Sequence, residues 1–138
     1  MKRSVIKRTV NFSDCDPARI AFYPRLFEWF DRGTEMMFRH VGLDWEAMMD
    51  IDGWIGVPLL EAKAAFKRPC RFGDVVEISS SVREWRGKTF IVDHRISKAG
   101  ETAAEGYELR IWTVKDPSRP DGMRAEPVPA AIMARFED

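Results

Sequence analysis

Between Pro24 and about Val41 the chain carries a run that makes sense only as a helix with little of its surface left to water. At about 100° per residue, Arg25, Glu28, Arg32, Glu35 and Arg39 fall on one narrow stripe. Nearly everything else is apolar: Leu26, Phe27, Trp29, Phe30, Met36, Met37, Phe38 and Val41. An apolar face that wide calls for cover on most sides, as a sheet wrapped round the helix would give. Pro24 suits the first turn, where its missing N–H is no loss, and Gly42 suits the C-terminal cap. Two polar residues break the pattern. His40 projects among Trp29 and Gly33, where a structural histidine is the simpler reading. Asp31 sits between Phe27/Phe38 and Glu35, at a border where a carboxylate either reaches a pocket or is solvated.

The cover is legible on both sides of the helix. Ser4 to Phe12 alternates apolar Val5, Val10 and Phe12 with polar Lys7, Arg8 and Asn11, a strand pattern. After a short helix from Asp44 to Met49 and a turn-rich loop, Ile51 to Gly56, come four strand candidates. They run Val57 to Lys67, Val75 to Trp85, Lys88 to Lys98 and Thr102 to Lys115, joined by Phe72-Gly73-Asp74, Arg86-Gly87 and Ala99-Gly100. A Pro/Gly/Asp loop, Asp116 to Gly122, and a last short helix, Pro129 to about Phe136, complete the chain. One strand, one long helix and four antiparallel strands make an α+β order, with the sheet curved around the helix. The order also predicts open sheet edges, which a second copy of the chain would cover.

A chain of 138 residues reads as a single domain, 1–138, and 45% apolar content is enough for a packed core. Lysine plus arginine and aspartate plus glutamate balance at 22 each, so no overall charge draws it to nucleic acid or an anionic membrane. No apolar run reaches the roughly 20 residues that span a bilayer, and the N-terminus lacks a signal-peptide pattern. Cys15 and Cys70 fit neither a disulfide framework nor a metal-ligand spacing, and no metal is expected. A soluble protein of the cytoplasm is the expectation.

The chemistry gathers before the long helix, at Asp14-Cys15-Asp16-Pro17-Ala18-Arg19-Ile20-Ala21-Phe22-Tyr23-Pro24. Elsewhere there is no Gly-x-Ser-x-Gly elbow, Walker loop, dinucleotide fingerprint or His-Glu-x-x-His. Only His40 and His94 are available to a histidine-centred triad, and neither stands in such a motif; Cys15 has no histidine near it in sequence. Carboxylates remain. Mutual repulsion between Asp14 and Asp16 would raise one pKa, whereas the positive end of the helix dipole would lower it. A carboxylate at a helix start can attack an activated acyl carbonyl or direct water to it, and the free N–H groups there can hold the oxyanion. Asp-x-Asp-Pro is also ordinary turn chemistry. Arg83, Arg86 and Lys88 round a hairpin, with Arg119 and Arg124 in the late loop, form either a polyanion site or a solvated basic patch.

At these residues the chain resembles the 4-hydroxybenzoyl-CoA thioesterase family of hotdog-fold acyl-CoA hydrolases. The resemblance is carried by Phe12-Ser13-Asp14-Cys15-Asp16-Pro17-Ala18 with Ile20, Phe22-Tyr23-Pro24 and Trp29. Glu84-Trp85-Arg86 with Lys88 and Phe90 adds to it, as does Arg124 with Val128-Pro129. It implies a hotdog fold, a five-stranded antiparallel sheet around a central helix, in dimers or tetramers with active sites at the subunit interface. It implies Asp16 as the catalytic carboxylate, nucleophile or general base, and the Tyr23 backbone N–H as the group polarising the thioester carbonyl. It also implies Asp31 at the acyl group, and Arg86, Lys88 and Arg124 on the phosphates of coenzyme A. Trp45, with Trp54, is the aromatic candidate for the acyl pocket. Arg19 stands where many members have glycine, and Gly87 where the aromatic-acyl enzyme has another basic residue.

The expected activity is hydrolysis of an aromatic, 4-hydroxybenzoyl-like, or short acyl-CoA to free acid and coenzyme A. No cofactor is expected, because the coenzyme belongs to the substrate. A non-catalytic acyl-CoA or acyl-carrier binding module, and a thioesterase acting on carrier-protein thioesters, are the alternatives.

Overall fold

The structure, a computed structural model, describes residues 1–49 and 53–138. A five-stranded antiparallel sheet is built from β1 (Ser4–Thr9), β3 (Leu59–Phe66), β4 (Val75–Arg86), β5 (Thr89–Lys98) and β6 (Glu101–Ile111), in the order β1-β4-β5-β6-β3. The long helix α1 (Tyr23–His40) packs against it. Short helices α2 (Trp45–Met48) and α3 (Ala130–Ala134) follow α1 and end the chain. This is the expected hotdog arrangement, with α1 starting and ending one residue earlier than the sequence suggested. Gly42 does follow the helix at φ +82°, a conformation glycine takes without strain. No helix among the described residues is long and apolar enough to cross a membrane.

Three local expectations change. Trp54–Gly56 is strand β2 rather than loop, while Ile51 and Asp52 of that loop lie outside the described residues. The last long strand breaks at Trp112, whose N–H donates to the Lys88 carbonyl in the β4–β5 hairpin, leaving β7 (Thr113–Lys115) separate. Residues 123–125, to which the sequence assigned no element, form β8 (Met123–Ala125), so that β2, β7 and β8 make a second, small sheet. Three-residue strands have no room to display an alternation, which is why they escape a periodicity argument.

The register explains how close α1 comes. Ile6, Ile78, Ile96, Ala104 and Phe66 face one another across all five strands. Two residues along, the row is Ser4, Ser80, His94, Gly106 and Ala64, smaller and more polar. Gly33 of α1 sits over this row, and a Cβ there would lie 2.5 Å from Ser80 Oγ and 3.3 Å from His94 Nδ1. The helix is buried along Leu26, Trp29, Phe30, Gly33, Thr34, Met37 and Phe38 only, with Phe27 and Met36 half-buried. One protomer therefore covers one face of α1, less than its composition suggested.

The core is in two parts. Around the first half of α1 lie Val10, Leu26, Trp29, Phe30, Val76 and Ile78; around its end lie Phe38, Val82, Phe90, Trp112 and Phe136. Each fully buried large side chain contributes about 1.5–3 kcal/mol. Between the two parts runs a buried polar layer of Thr34, His94, Glu108 and Arg110, which sequence reading did not foresee. Among the described residues, both outer strands, β1 and β3, have one unpaired edge, and Leu59, Leu60 and Phe66 of β3 are exposed.

Candidate active site

The loop before α1 is a miniature hairpin. Cys15 bridges Ala21, the Asp16 N–H donates to the Ile20 carbonyl, and the Arg19 N–H donates to the Asp16 carbonyl. The turn puts Arg19 at φ +64°, in the left-handed region, a conformation that glycine would take without strain. Phe72 N–H donates to the Arg19 carbonyl, and Ala21 N–H to that of Cys70, so the loop is tied to the segment entering β4.

The two aspartates part company here. Asp14 is buried; its Oδ2 accepts the Asn11 N–H, and Arg8 and Arg25 approach its Oδ1 at 3.6 and 3.9 Å. Its carbonyl accepts the Phe22 N–H. Asp14 thus shapes the loop. Asp16 is half-buried, its Oδ1 accepts only the Ala18 N–H at 2.8 Å, and no ion pair reaches it among the described residues. It lines a cleft of about 450 Å³ with Phe22, Tyr23, Phe66, Lys67 and Arg68.

The start of α1 opens on the same cleft. Phe22 and Arg25 N–H groups are committed to the Asp14 and Phe22 carbonyls, and Pro24 has none. The Tyr23 N–H has no acceptor among the described residues, and the helix dipole adds to its positive character. A carboxylate and a free helical N–H facing one cleft can act on the carbon and the oxygen of one carbonyl. Cys15 is a poor nucleophile: partial burial, then the charges of Asp14 and Asp16, push its thiol pKa up. Cys70 is buried and raised likewise, first by burial and then by Asp74.

The remaining candidates are spread along the molecule. Asp31 lies eight residues down α1 from Tyr23, about 12 Å at 1.5 Å per residue. Its Oδ1 accepts from Arg110 Nη2 at 2.6 Å. Trp45 follows the other end of α1 and packs on Phe38 and Trp54, and Phe38 itself lies 15 residues from Tyr23 along the helix, about 22 Å by the same rise. Arg86 and Lys88 sit at the β4–β5 hairpin. The chain after β8 folds back onto it, with Val128 N–H donating to Gly87 and Glu126 N–H to Trp112. Arg86, Lys88 and Arg124 therefore share one end of the molecule, with Arg86 paired to Glu84 and Arg124 to Glu126. That end is separated from Asp16 by the length of β4, roughly 35 Å of strand at 3.3 Å per residue. One protomer brings together Asp16 and Tyr23, and it leaves Trp45 and the basic trio apart from them.

Sequence reading passed over Lys67 and Arg68 at the mouth of the Asp16 cleft. Both are more than half exposed, with Glu105 and Glu101 as partners. The Lys67-Arg68-Pro69 step at the end of a strand was the available signal. His40 shares a 2.7 Å hydrogen bond with Ser4 Oγ, tying α1 to β1, and His94 lies in the buried layer; both hold structure rather than line the cleft.

Residues 10–136 match the family model of the thioesterase-like superfamily, and the chain belongs to that family. It is 30% identical over 137 residues, 94% of this chain and 95% of the relative, to the 4-hydroxybenzoyl-CoA thioesterase of Pseudomonas sp. (strain CBS-3). A crystal structure of a 4-hydroxybenzoyl-CoA thioesterase variant with aspartate replaced by asparagine, complexed with 4-hydroxybenzoyl-CoA, superposes with a TM-score of 0.91. It is 26% identical, and the match covers 99% of this chain and all of that one. A gentisyl-coenzyme A thioesterase structure is 32% identical, with a TM-score of 0.83 over 98% of this chain and all of that one.

Proposed function

We propose that this chain is an acyl-CoA thioesterase that hydrolyses the thioester of a hydroxylated aromatic acyl-CoA, releasing the free acid and coenzyme A. The observation that carries the reading is that, among the described residues, the Asp16 carboxylate has no ion-pair partner and shares a cleft with the Tyr23 N–H, which has no acceptor. The carbonyl oxygen of the thioester accepts from Tyr23 N–H, which makes its carbon more electrophilic. Asp16 then attacks that carbon, expelling the thiolate of coenzyme A and leaving a mixed anhydride that water cleaves to the free acid, or it takes the proton of a water that attacks the carbon directly as the thiolate leaves. The aromatic preference rests on the relatives, whose names specify 4-hydroxybenzoyl and gentisyl thioesters, and on Asp31 as an acceptor for a ring hydroxyl.

The working unit in this reading is a pair of chains. The basic trio lies at the far end of β4 from Asp16, so in this reading phosphates held there belong to a substrate whose thioester enters another protomer's cleft. The free edge of β3, with Leu59, Leu60 and Phe66 exposed, supports association of two copies along that strand.

Thiol release from a panel of acyl-CoAs, measured on wild type and Asp16→Asn, tests the reading. The expected result is release of 4-hydroxybenzoate ahead of butyrate by wild type, and a fall in kcat of about 10³-fold or more in the variant with coenzyme A still bound. Near-normal turnover by Asp16→Asn removes Asp16 from the mechanism. Tight acyl-CoA binding without thiol release favours a binding module instead.

A further inference from the structure

The polar layer that divides the core reaches the surface at Asp31. Ser80 Oγ shares a hydrogen bond with His94 Nδ1 at 2.8 Å, and the ring stacks on Phe30 with centroids 4.7 Å apart. Glu108 Oε1 accepts from His94 Nε2 at 2.8 Å, the Thr34 hydroxyl at 2.5 Å and Arg110 Nε at 3.1 Å. Glu108 Oε2 accepts from Arg110 Nη2 at 2.7 Å, and the Val57 carbonyl from Arg110 Nη1 at 2.8 Å. The last link is Arg110 Nη2 to Asp31 Oδ1. Ser80, His94, Thr34, Glu108 and Arg110 are all buried, whereas the Asp31 side chain is 60% exposed.

Stability does not explain such an arrangement. A buried ion pair gives little net stabilisation over well-packed apolar residues of the same volume, because both charges lose their water. What it does give is rigidity. Four hydrogen bonds, two to Glu108 and one each to Val57 and Asp31, fix the guanidinium plane. Glu108 neutralises Arg110 inside the core, so the charge presented at the surface is that of Asp31. Its Oδ2 accepts no hydrogen bond among the described residues. Val57, which anchors the guanidinium, lies two residues before Leu59, where β3 and its free edge begin.

We propose that Arg110, clamped by Glu108 and Val57, is a positioning residue that holds the Asp31 carboxylate in one orientation and so makes the acyl site select groups bearing a hydrogen-bond donor. The inference rests on the thioesterase reading for its ligand class, and goes beyond it in assigning the selectivity to a buried residue that touches no substrate. A fixed, acceptor-only carboxylate rewards a phenolic hydroxyl and offers nothing to a plain ring.

The test is binding, not turnover. Two thioether analogues that cannot be hydrolysed, 4-hydroxyphenacyl-CoA and phenacyl-CoA, are titrated calorimetrically into wild type, Asp31→Asn, Arg110→Lys and the double variant. A hydrogen bond to a charged group corresponds to a preference of about 10- to 100-fold for the hydroxylated analogue in wild type. Arg110→Lys keeps a cation beside Glu108 but cannot reach Glu108, Val57 and Asp31 together, and the ratio of affinities should collapse toward one. Asp31→Asn should do the same, and the double variant should lose nothing further. Should Arg110→Lys not fold, Glu108→Gln keeps the side-chain shape while removing the charge that orients the guanidinium, and the same collapse is expected. A ratio near one in wild type, a ratio that survives in the folded Arg110 or Glu108 variant, or binding of neither analogue overturns the proposal. A wild type that releases thiol yet binds both analogues equally overturns the positioning role alone. One that keeps the ratio but releases no thiol from any acyl-CoA overturns the hydrolase reading alone.

Discussion

Glu108→Gln converts the buried polar layer into a measurement. Burial pushes the Glu108 pKa up, but hydrogen bonds from His94 and Arg110 and their charges outweigh it and bring the pKa down from 4.5 to about 2. A carboxylate whose folded pKa lies below its unfolded one stabilises the fold above the unfolded value and loses that contribution as pH falls through the folded value. A drop of about 2.5 units at about 1.4 kcal/mol each gives roughly 3 kcal/mol at pH 7, falling to about 1.5 kcal/mol at pH 3 and to a few tenths at pH 2. The amide cannot titrate, and it leaves Arg110 buried with Asp31 as its remaining carboxylate partner, a loss of about 3–5 kcal/mol at neutral pH. Urea unfolding followed by tryptophan fluorescence, at several pH values from 7 down to 3, reads both quantities. The expected outcome is a destabilisation near 3 kcal/mol or more at pH 7 that narrows by roughly half at pH 3. A stability difference that stays constant over this range refutes the reasoning, because Glu108 would then not be an ionised carboxylate held by His94 and Arg110.

Two further substitutions test the packing that holds the site. Gly33→Ala puts a methyl 2.5 Å from Ser80 Oγ, which is itself bonded to His94, and overpacking of this kind costs about 1–3 kcal/mol. A melting temperature equal to wild type would mean that α1 can lift from β4 without penalty. Arg19→Gly relieves a left-handed residue in the loop before α1, and an increase in stability of up to about 1 kcal/mol is expected from the urea midpoint. A decrease would show that the Arg19 side chain holds the loop by a contact worth more than its backbone strain.

Much of this fold is written in local patterns. The run from Pro24 to Val41, the alternations flanking Gly73, Gly87 and Gly100, and the proline opening α1 each act within a few residues, so α1 and the long strands are legible from spacing alone. So is the presence of carboxylates just before a helix start. What spacing left undecided was which carboxylate is free. Asp14 and Asp16 differ only in what folds against them: Arg8 from β1 and Arg25 from α1 approach the first, and neither pairs with the second.

The buried layer was hidden for the same reason. Glu108 and Arg110 alternate with Leu109 and Ile111 as any surface-facing strand residues would, and His94 looks like an isolated mid-strand histidine. Their burial depends on neighbours distant in sequence. The sheet register sets Gly106 across from His94, and Gly33 brings α1 close enough for Thr34 and Asp31 to reach the pair. The sequence by itself determined the helix, the strands and the chemistry available at the loop. Only the tertiary structure decided which charges are buried, which are paired and which face the cleft, because desolvation and pairing are set by groups that the chain brings together from remote positions.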